Sequence, residues 1–528
     1  VSVSTAAYLL ELDVWNGSGI ETWRLGTHTK TTASGDTPAS AIYRSRLVDA
    51  GQMDRQLSLK GGVFGSPTNS PVTFEVGNVD GYFDSWLNPD NAVALDGRAF
   101  RFMQLNALDL PVAGAAPLIL GTVRGVDGSN ALKSLKILAS DRLADLNQPL
   151  LRARYAGTTL AAGPTAEGDA DLADQIKPYI GGSAFHVLPK FVNKFNLLYQ
   201  VSVARVASIA VFDGGLPLTL TGDFPDIAAL IGAPLVAGQY ATCLVLGLFR
   251  LGIAAKAVSA SVVEGASVSD RSAARVVQRM LALYGVAGSD IDAATFDAFH
   301  AFKPAEVGIA VSDEATAADT VARVTGSVLG AVLPTEAGKF AAVWLSEPAS
   351  LPAGDTYSLR DIGTDSSFSY LLGADDGNAG IPAWRVVCNW GKIWNVFSGG
   401  DILGAVDAAT RALLTTPSGV RQASAEDASV RTAHPLAVEL TVDTLLVNQA
   451  EAEAEAALRL NLFKRKRGKI VMPLPFDLGG MRSGKPAIGS IVKVKDPLRP
   501  MLAAGRNYFV LGRKDDFTKR RSYSTLWG

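Results

Sequence analysis

Thr444-Leu-Leu-Val-Asn-Gln-Ala-Glu-Ala-Glu-Ala-Glu-Ala-Ala-Leu-Arg-Leu-Asn-Leu-Phe463, with Lys464-Arg-Lys-Arg467 and Gly468 behind it, is the run around which the C-terminal region is organised. Ala is the strongest helix former, and Leu, Glu and Arg follow closely, so the run predicts a helix. Leu446, Ala450, Ala454, Ala457 and Leu458 recur at helical steps and predict a narrow apolar face that a neighbour can approach closely. On that reading Glu451, Glu453 and Glu455 face water, and Glu455 pairs with Arg459 one turn on. Lys464, Arg465, Lys466 and Arg467 fall where a helix C-terminus carries partial negative charge, and Gly468 is a natural C-cap.

Outward from this helix, 469–474, 487–495, 507–511 and 522–527 read as strands, punctuated by Gly479-Gly480, Pro497, Pro500 and Gly505. Upstream, Trp384-Arg-Val-Val-Cys-Asn-Trp390 and Trp394-Asn-Val-Phe397 carry three of the eight Trp. Alternation sets Trp384, Val386 and Cys388 on one face and Arg385, Val387 and Asn389 on the other. Trp in paired strands more often anchors a core or interface, with a sugar-binding platform as the alternative. Residues 403–414 form a helix candidate, and His434-Pro435 marks a turn.

At 528 residues and 48% hydrophobic content the chain can bury several cores, and its length suggests roughly three or four domains. The net charge of −2 hides an asymmetry. Residues 464–528 hold 16 Lys/Arg against 4 Asp/Glu, leaving 33 against 47 elsewhere, so a basic tail sits on an acidic body. That tail is a solvated basic face, a contact for an acidic partner, or a DNA contact. Two cysteines, Cys243 and Cys388, exclude a disulfide framework and a four-cysteine metal site; both lie in apolar runs and read as buried thiols. Val1-Ser-Val-Ser shows no charged n-region with an apolar core. Residues 227–249 carry no charge over a span of membrane length. Gly232, Pro234, Gly238 and Gly247 interrupt them, so 241–249 reads instead as a buried strand beyond a turn.

Residues 1–140 read as short strands, among them 7–14, 44–49 and 72–76, spaced as in a barrel or sandwich. Asp80-Gly81 and Asp96-Gly97 are hairpin turn signals, and the spacing of an EF-hand calcium loop is absent around them. Between 141 and 265, a short helix at 141–147 precedes strands at 201–211 and 216–221 around Asp213-Gly214-Gly215. Residues 266–350 change character. Helices are predicted at 269–284 (Val276, Val277, Met280, Leu281 and Tyr284 inward, Gly285 ending it), 291–302 and 316–329, with a strand at 338–345.

Catalytic patterns are sparse. His28, His186, His300 and His434 lie far apart without a metal-type partner at i+4. Gly479-Gly-Met-Arg-Ser-Gly-Lys485 lacks the Ser/Thr and the strand-to-helix context of a P-loop. Asp375-Asp376 and Asp515-Asp516 read as solvated turn acids. A glycosidase would need two carboxyls at a fixed separation, which spacing in sequence does not supply. The reading is therefore no enzyme, with no catalytic residue, metal or cofactor assigned.

Taken in order, these segments resemble the baseplate (tail-tip) hub proteins of long-tailed, siphovirus-type bacteriophages. The resemblance runs through Asn78-Val-Asp-Gly-Tyr-Phe-Asp84 followed by Leu95-Asp-Gly-Arg-Ala-Phe-Arg-Phe102, the Trp-rich strands, and Thr-x-Leu-Leu before the Ala/Glu helix. It continues through Gly489-Ser-Ile-Val-Lys-Val494, Ala504-Gly-Arg-Asn-Tyr-Phe-Val510 and Ser524-Thr-Leu-Trp527. It implies a multidomain, mainly β chain with an α+β module and β-barrel-like hub domains. The expected division is 1–140 (N-terminal barrel-like), 141–265 (β-rich), 266–350 (α+β) and 351–528 (C-terminal barrel-like with the long helix). It implies a homotrimer in the virion tail tip, assembled in the host cytoplasm, that joins the six-fold tail tube to three-fold distal parts around a channel through which DNA passes transiently. Partners would be distal tail, tail-tube and other baseplate or central-fibre proteins. No small-molecule substrate, no integral membrane span and no appended long fibre domain are expected. Lys464, Arg465, Lys466 and Arg467 are the candidate interface residues. The alternatives from other classes are a tail-associated cell-wall hydrolase or glycan-binding protein, and a nucleic-acid protein whose affinity falls steeply with salt.

Overall fold

The computed structural model describes the chain apart from residues 1–6, 61–62, 70, 89, 91–92, 351, 359–360, 363–368, 373–380 and 477–483. Asp375-Asp376 and most of the P-loop-like stretch therefore lie outside the described residues. The fold is mainly β, with its longer helices at 273–326 and 449–463.

The strand Ala7–Asn16 is apolar at most positions because both of its faces are buried, Leu10, Leu12 and Val14 in one cluster and Leu9 with Tyr43 and Leu105 in another. It lies antiparallel between Ile20–Gly26 and Ala99–Leu105 within a ten-stranded sheet. Leu10, Leu12 and Val14 pack there with Phe74, Phe100, Phe102 and Ile137. The Asn78–Asp84 turn is built around Asn78, which is buried. Its Oδ1 accepts from the Phe83 N–H at 2.7 Å, while its Nδ2 donates to Asp84 Oδ1 and the Ala131 carbonyl, both at 2.8 Å. Gly81 takes φ +69°, and a Cβ there would meet Asp84 Oδ2 at 2.8 Å, so the turn needs glycine. It leads into the 3-10 turn Asp84–Trp86 and not into a hairpin.

One hairpin leaves the N-terminal sheet. Gln52–Lys60 pairs with Val63–Asn69 on one side and, antiparallel, with Arg506–Asp516 on the other, from Gly512↔Gln56 to Asp516↔Gln52. N-terminal sequence thus completes the eight-stranded C-terminal sheet. The cores interlock to match: Leu57, Leu59 and Phe64 join Phe509, Leu511 and Trp527, while Phe476 and Phe517 join the N-terminal cluster.

A charged seam crosses this junction. Arg513 Nε donates to Asp515 Oδ2 at 2.9 Å and its Nη2 to Glu336 Oε1 at 2.6 Å, and Arg55 Nε donates to Asp141 Oδ2 at 3.1 Å. Asp515 and Asp516 are therefore not solvated turn acids. Both are buried, Asp515 accepting from Arg513 and Asp516 Oδ2 accepting from Gln52 Nε2 of the added strand at 3.0 Å.

The middle of the chain holds two five-stranded sheets. Asp213-Gly214-Gly215-Leu216 turns as expected, with φ +49° and +87° at the glycines and Asp213 facing Leu216. The strand expected over 201–211 is interrupted: Leu198–Gln200 and Ser208–Asp213 belong to different sheets, and the link between them is irregular. The uncharged stretch 227–249 breaks into the short helix Ile227–Gly232, capped by Asp226, and the strands Gln239–Cys243 and Leu248–Leu251. No helix among the described residues is long and apolar enough to cross a membrane. Cys243 and Cys388 are both buried and unbridged, and burial raises both thiol pKa values, that of Cys388 to about 11.

The α+β module consists of helices Ala273–Tyr284, Ala293–Phe302 and Ala317–Gly326 and the hairpin of Gly330–Pro334 with Phe340–Trp344. Val276, Val277, Met280 and Leu281 face its core and Gly285 ends the first helix in the left-handed conformation, as the periodicity predicts. Thr316 caps the third helix by accepting from the Asp319 N–H at 3.0 Å.

Candidate functional site

The long helix runs from Gln449 to Phe463, and Asn448 is its cap residue. Its buried positions are Ala452, Glu455, Ala456, Arg459, Leu460, Leu462 and Phe463, and it packs across the strands Ala383–Trp390 and Arg421–Glu426. This corrects the expected face. Ala454 and Ala457 are exposed, and Glu455 points inward. The alternating Ala/Glu run offers two Ala stripes of equal apolarity, so periodicity alone did not pick the side.

Glu455 is held by cations from two directions. Arg459 Nε donates to Oε1 at 2.8 Å and Lys303 Nζ to Oε2 at 2.6 Å. The Arg459 Nη2 donates to the carbonyls of Gly326 and Ser327 at 2.9 and 3.0 Å, where the helix Ala317–Gly326 ends. A buried cation on those last carbonyls complements the negative end of that helix. One side chain therefore ties the long helix to the α+β module.

The four candidate interface cations separate into two kinds. Arg467 is buried. Its Nε donates to the Leu462 carbonyl at 3.0 Å, its two terminal nitrogens form a fork with Glu347 at 3.0 and 2.5 Å, and its guanidinium lies 4.9 Å from the Trp527 ring centre. Burial acts to raise the Glu347 carboxyl, but the hydrogen bond and charge of Arg467 prevail and hold its pKa below the usual value. Lys464 is half-buried and reaches Asp427 Oδ2 at 3.3 Å. Asp427 caps the helix Ala428–Ala433 by accepting from the Ser429 N–H. Arg465 and Lys466 are exposed. The run therefore turns two charges into its own subunit and presents two outward.

The Trp-rich segment is covered by cations of the same chain. Arg431 lies over Trp384 at 5.2 Å, Arg421 over Trp390 at 5.0 Å and Lys392 over Trp394 at 4.3 Å from the ring centres. Trp390 is buried in the core, and Val386 and Cys388 face the long helix. Around Trp394 the chain is irregular, so the second Trp strand does not form. Among the described residues no cluster of three or more His, Cys, Asp or Glu is placed to hold a metal ion.

No protein-family model and no curated protein matches the chain. Solved structures to which the chain is similar include a tail protein from Neisseria meningitidis MC58, at 10% identity and a TM-score of 0.38, covering 92% of this chain and 93% of that one. A 43 kDa tail protein of prophage MuSo2 from Shewanella oneidensis gives 9% identity and 0.36, over 92% and 94% of the two chains. A chain of the virion of a native gene transfer agent particle gives 11% and 0.41, over 67% and 84%. At these TM-scores the likenesses carry no argument about function.

Proposed function

We propose that this chain is a structural subunit of a bacteriophage tail: a homotrimeric hub of the baseplate or tail tip, joining the tail tube to distal components around a channel that DNA crosses. The motif strands Ala99–Leu105, Ile491–Lys495, Arg506–Asp516 and Arg521–Trp527 support this, since they lie in the ten- and eight-stranded sheets that such a ring would need. The observation that carries the reading is the ladder between Gln52–Lys60 and Arg506–Asp516. It makes one mechanical frame of the two ends of the chain, so load entering one sheet passes to the other through backbone hydrogen bonds and the Arg513 seam. A ring subunit under tension benefits from such a connection. The cations over the Trp rings disfavour the sugar-platform reading, because a bound sugar would have to displace them.

In this proposal the units are 1–140, 141–265, 266–350 and 351–528, with the hairpin 52–69 lent to the last. Arg465 and Lys466 meet an acidic surface of a neighbour. Light scattering of the purified chain tests the assembly: a species near three times 55.3 kDa is expected. A stable monomer at micromolar concentration, with no trimer in assembled particles, overturns it. Zymography on bacterial cell wall tests the rival reading, since a clearing zone would make the chain a hydrolase.

A further inference from the structure

A cleft of about 810 Å³ lies between the helix Ala317–Gly326 and the strand Val438–Asp443. One wall is a single helix stripe: Asp319, Ala322, Arg323 and Gly326. The opposite wall is the unbroken run 441–445. Successive strand side chains point to opposite faces, so a run without gaps lines a cleft only along its backbone edge. Val438–Asp443 is an end strand; it pairs in parallel with Ala383–Trp390 on one side, and among the described residues no strand pairs with its other side.

Two cations converge on this edge. Lys392 and Arg323 both line the cleft, and among the described residues neither has a carboxylate within ion-pair distance. Lys392 is half-buried, its ammonium held below its ordinary pKa by burial first and by Arg323 second, with Asp443 opposing. The two acids of the cleft are taken by neutral donors: Thr316 Oγ1 donates to Asp319 Oδ2 at 2.7 Å, and Asn389 Nδ2 to Asp443 Oδ1 at 2.6 Å. Lys392 is half-buried over the Trp394 ring and Arg323 is exposed, so a half-buried ammonium with no carboxylate in ion-pair range stands beside an open guanidinium and an open strand edge, with room for one anionic group.

We propose that this cleft receives an extended segment of a partner protein, its main chain adding along the 441–443 edge as a fourth strand and its one acidic side chain seated between Lys392 and Arg323. Asp319 and Asp443 flank the seat, so it suits a segment with a single acidic residue at that place and not a run of anions, whether acidic peptide or nucleic-acid backbone. The inference does not depend on the tail reading, because it rests on the edge and the cations alone.

Fluorescence anisotropy on the full chain tests it with a labelled Val-rich peptide that carries one central Glu (the Val/Glu peptide). The controls are its Val/Lys counterpart and a Val/Glu version N-methylated at alternate residues. The Val/Glu peptide is expected to bind saturably and the Val/Lys peptide not to bind. Lys392→Gln with Arg323→Gln should weaken binding by about tenfold or more with thermal unfolding unchanged, and Lys392→Arg should retain it. N-methylation should weaken binding about as much, because it removes the strand-edge hydrogen bonds. No saturable binding at about 1 mM peptide overturns the proposal, as does binding that survives removal of both cations. Equal binding of the N-methylated peptide, or its full displacement by equimolar inorganic phosphate, would show an anion site without strand addition and also overturns it.

Discussion

Arg459 Nε donates to Glu455 Oε1 at 2.8 Å across one turn of the long helix, with both side chains out of water. On a solvated surface an i,i+4 pair is worth a few tenths of a kcal/mol. Here the same pair is buried, shares Glu455 with Lys303, and uses Arg459 to close the end of a second helix. Removing the acid would leave two cations in the interior without their counter-charge. Glu455→Ala should therefore destabilise the protein by about 3–5 kcal/mol, the cost of breaking a buried ion pair from one side. Urea unfolding monitored by circular dichroism checks this. A loss near the surface value would place Glu455 in water.

Packing on the same helix gives a paired prediction. Ala452 is fully buried, whereas Ala454 is exposed. Ala452→Leu has no room for its added carbons and should cost about 1–3 kcal/mol by overpacking. Ala454→Leu should be nearly silent, since Leu and Ala have similar helix propensity. Thermal melts of the two variants, measured side by side, decide between the faces.

How much of this was legible in the sequence depends on the kind of signal. Helix Ala273–Tyr284 and its Gly285 stop were readable because large apolar residues mark one side only. The final strands were readable in part: Pro497, Pro500 and Gly505 separate the first two, but Arg506–Asp516 runs past the expected 507–511 into Asp515-Asp516, and no Gly or Pro marks the turn at 517–520. The inward face of Gln449–Phe463 was not, because Ala is neutral between water and core and a buried Glu looks like a surface one until its cations are placed. Nor was the hairpin 52–69, whose partner strand lies at the far end of the chain. Local pattern carries no information on such a pairing. The Lys392–Arg323 cleft was invisible for the same reason: helix and strand meet there only through the fold.

His186 supplies a pH dependence. Its ring lies 4.6 Å from that of Phe212, and burial, with a smaller push from Arg421, lowers its pKa to about 4. In the unfolded chain the value is near 6.5. Between those values the unfolded state binds the proton more readily, so stability is full above about pH 6.5 and declines as pH falls towards 4. The decline from this group should be on the order of 2 kcal/mol. His186→Asn tolerates the φ of +46° at this position and should flatten that part of the stability profile. An unchanged slope between pH 6.5 and 4 in the variant would assign the acid sensitivity to other groups.

Trp390 tests packing against ligand binding. Its ring is buried in the cluster that includes Val307 and Leu446, with Arg421 above it. Trp390→Ala should cost about 3–5 kcal/mol, as truncation of large aromatics in a core does. Trp394, which is only half-buried, should cost less. Full thermal stability in the Trp390 variant together with lost binding to cell-wall glycan would favour the sugar-platform reading.

The basic run gives the sharpest test of the proposed assembly, because its four residues separate by environment. Arg467 is locked to Glu347 and Trp527, and Lys464 reaches Asp427, so reversing either disturbs the subunit itself. Arg465 and Lys466 are exposed, so their reversal should leave folding almost unchanged; surface substitutions usually stay within about 0.5 kcal/mol. The fork from Arg467 to Glu347 fixes the end of the run, and the helix fixes its start. The two exposed charges are therefore presented at a defined place instead of on a floppy tail. If they meet an acidic neighbour, Arg465→Glu with Lys466→Glu puts like charges across the contact, where repulsion costs several kcal/mol. The double variant should then melt like the parent yet fail to form the trimer, or fail to enter tails. Light scattering and electron microscopy of assembled particles give the readouts. Arg467→Glu is the contrasting control and should lower the melting temperature, because it leaves Glu347 facing another acid. Normal trimers and normal tails from the Arg465/Lys466 reversal would show that the exposed half of the run is a solvated helix end.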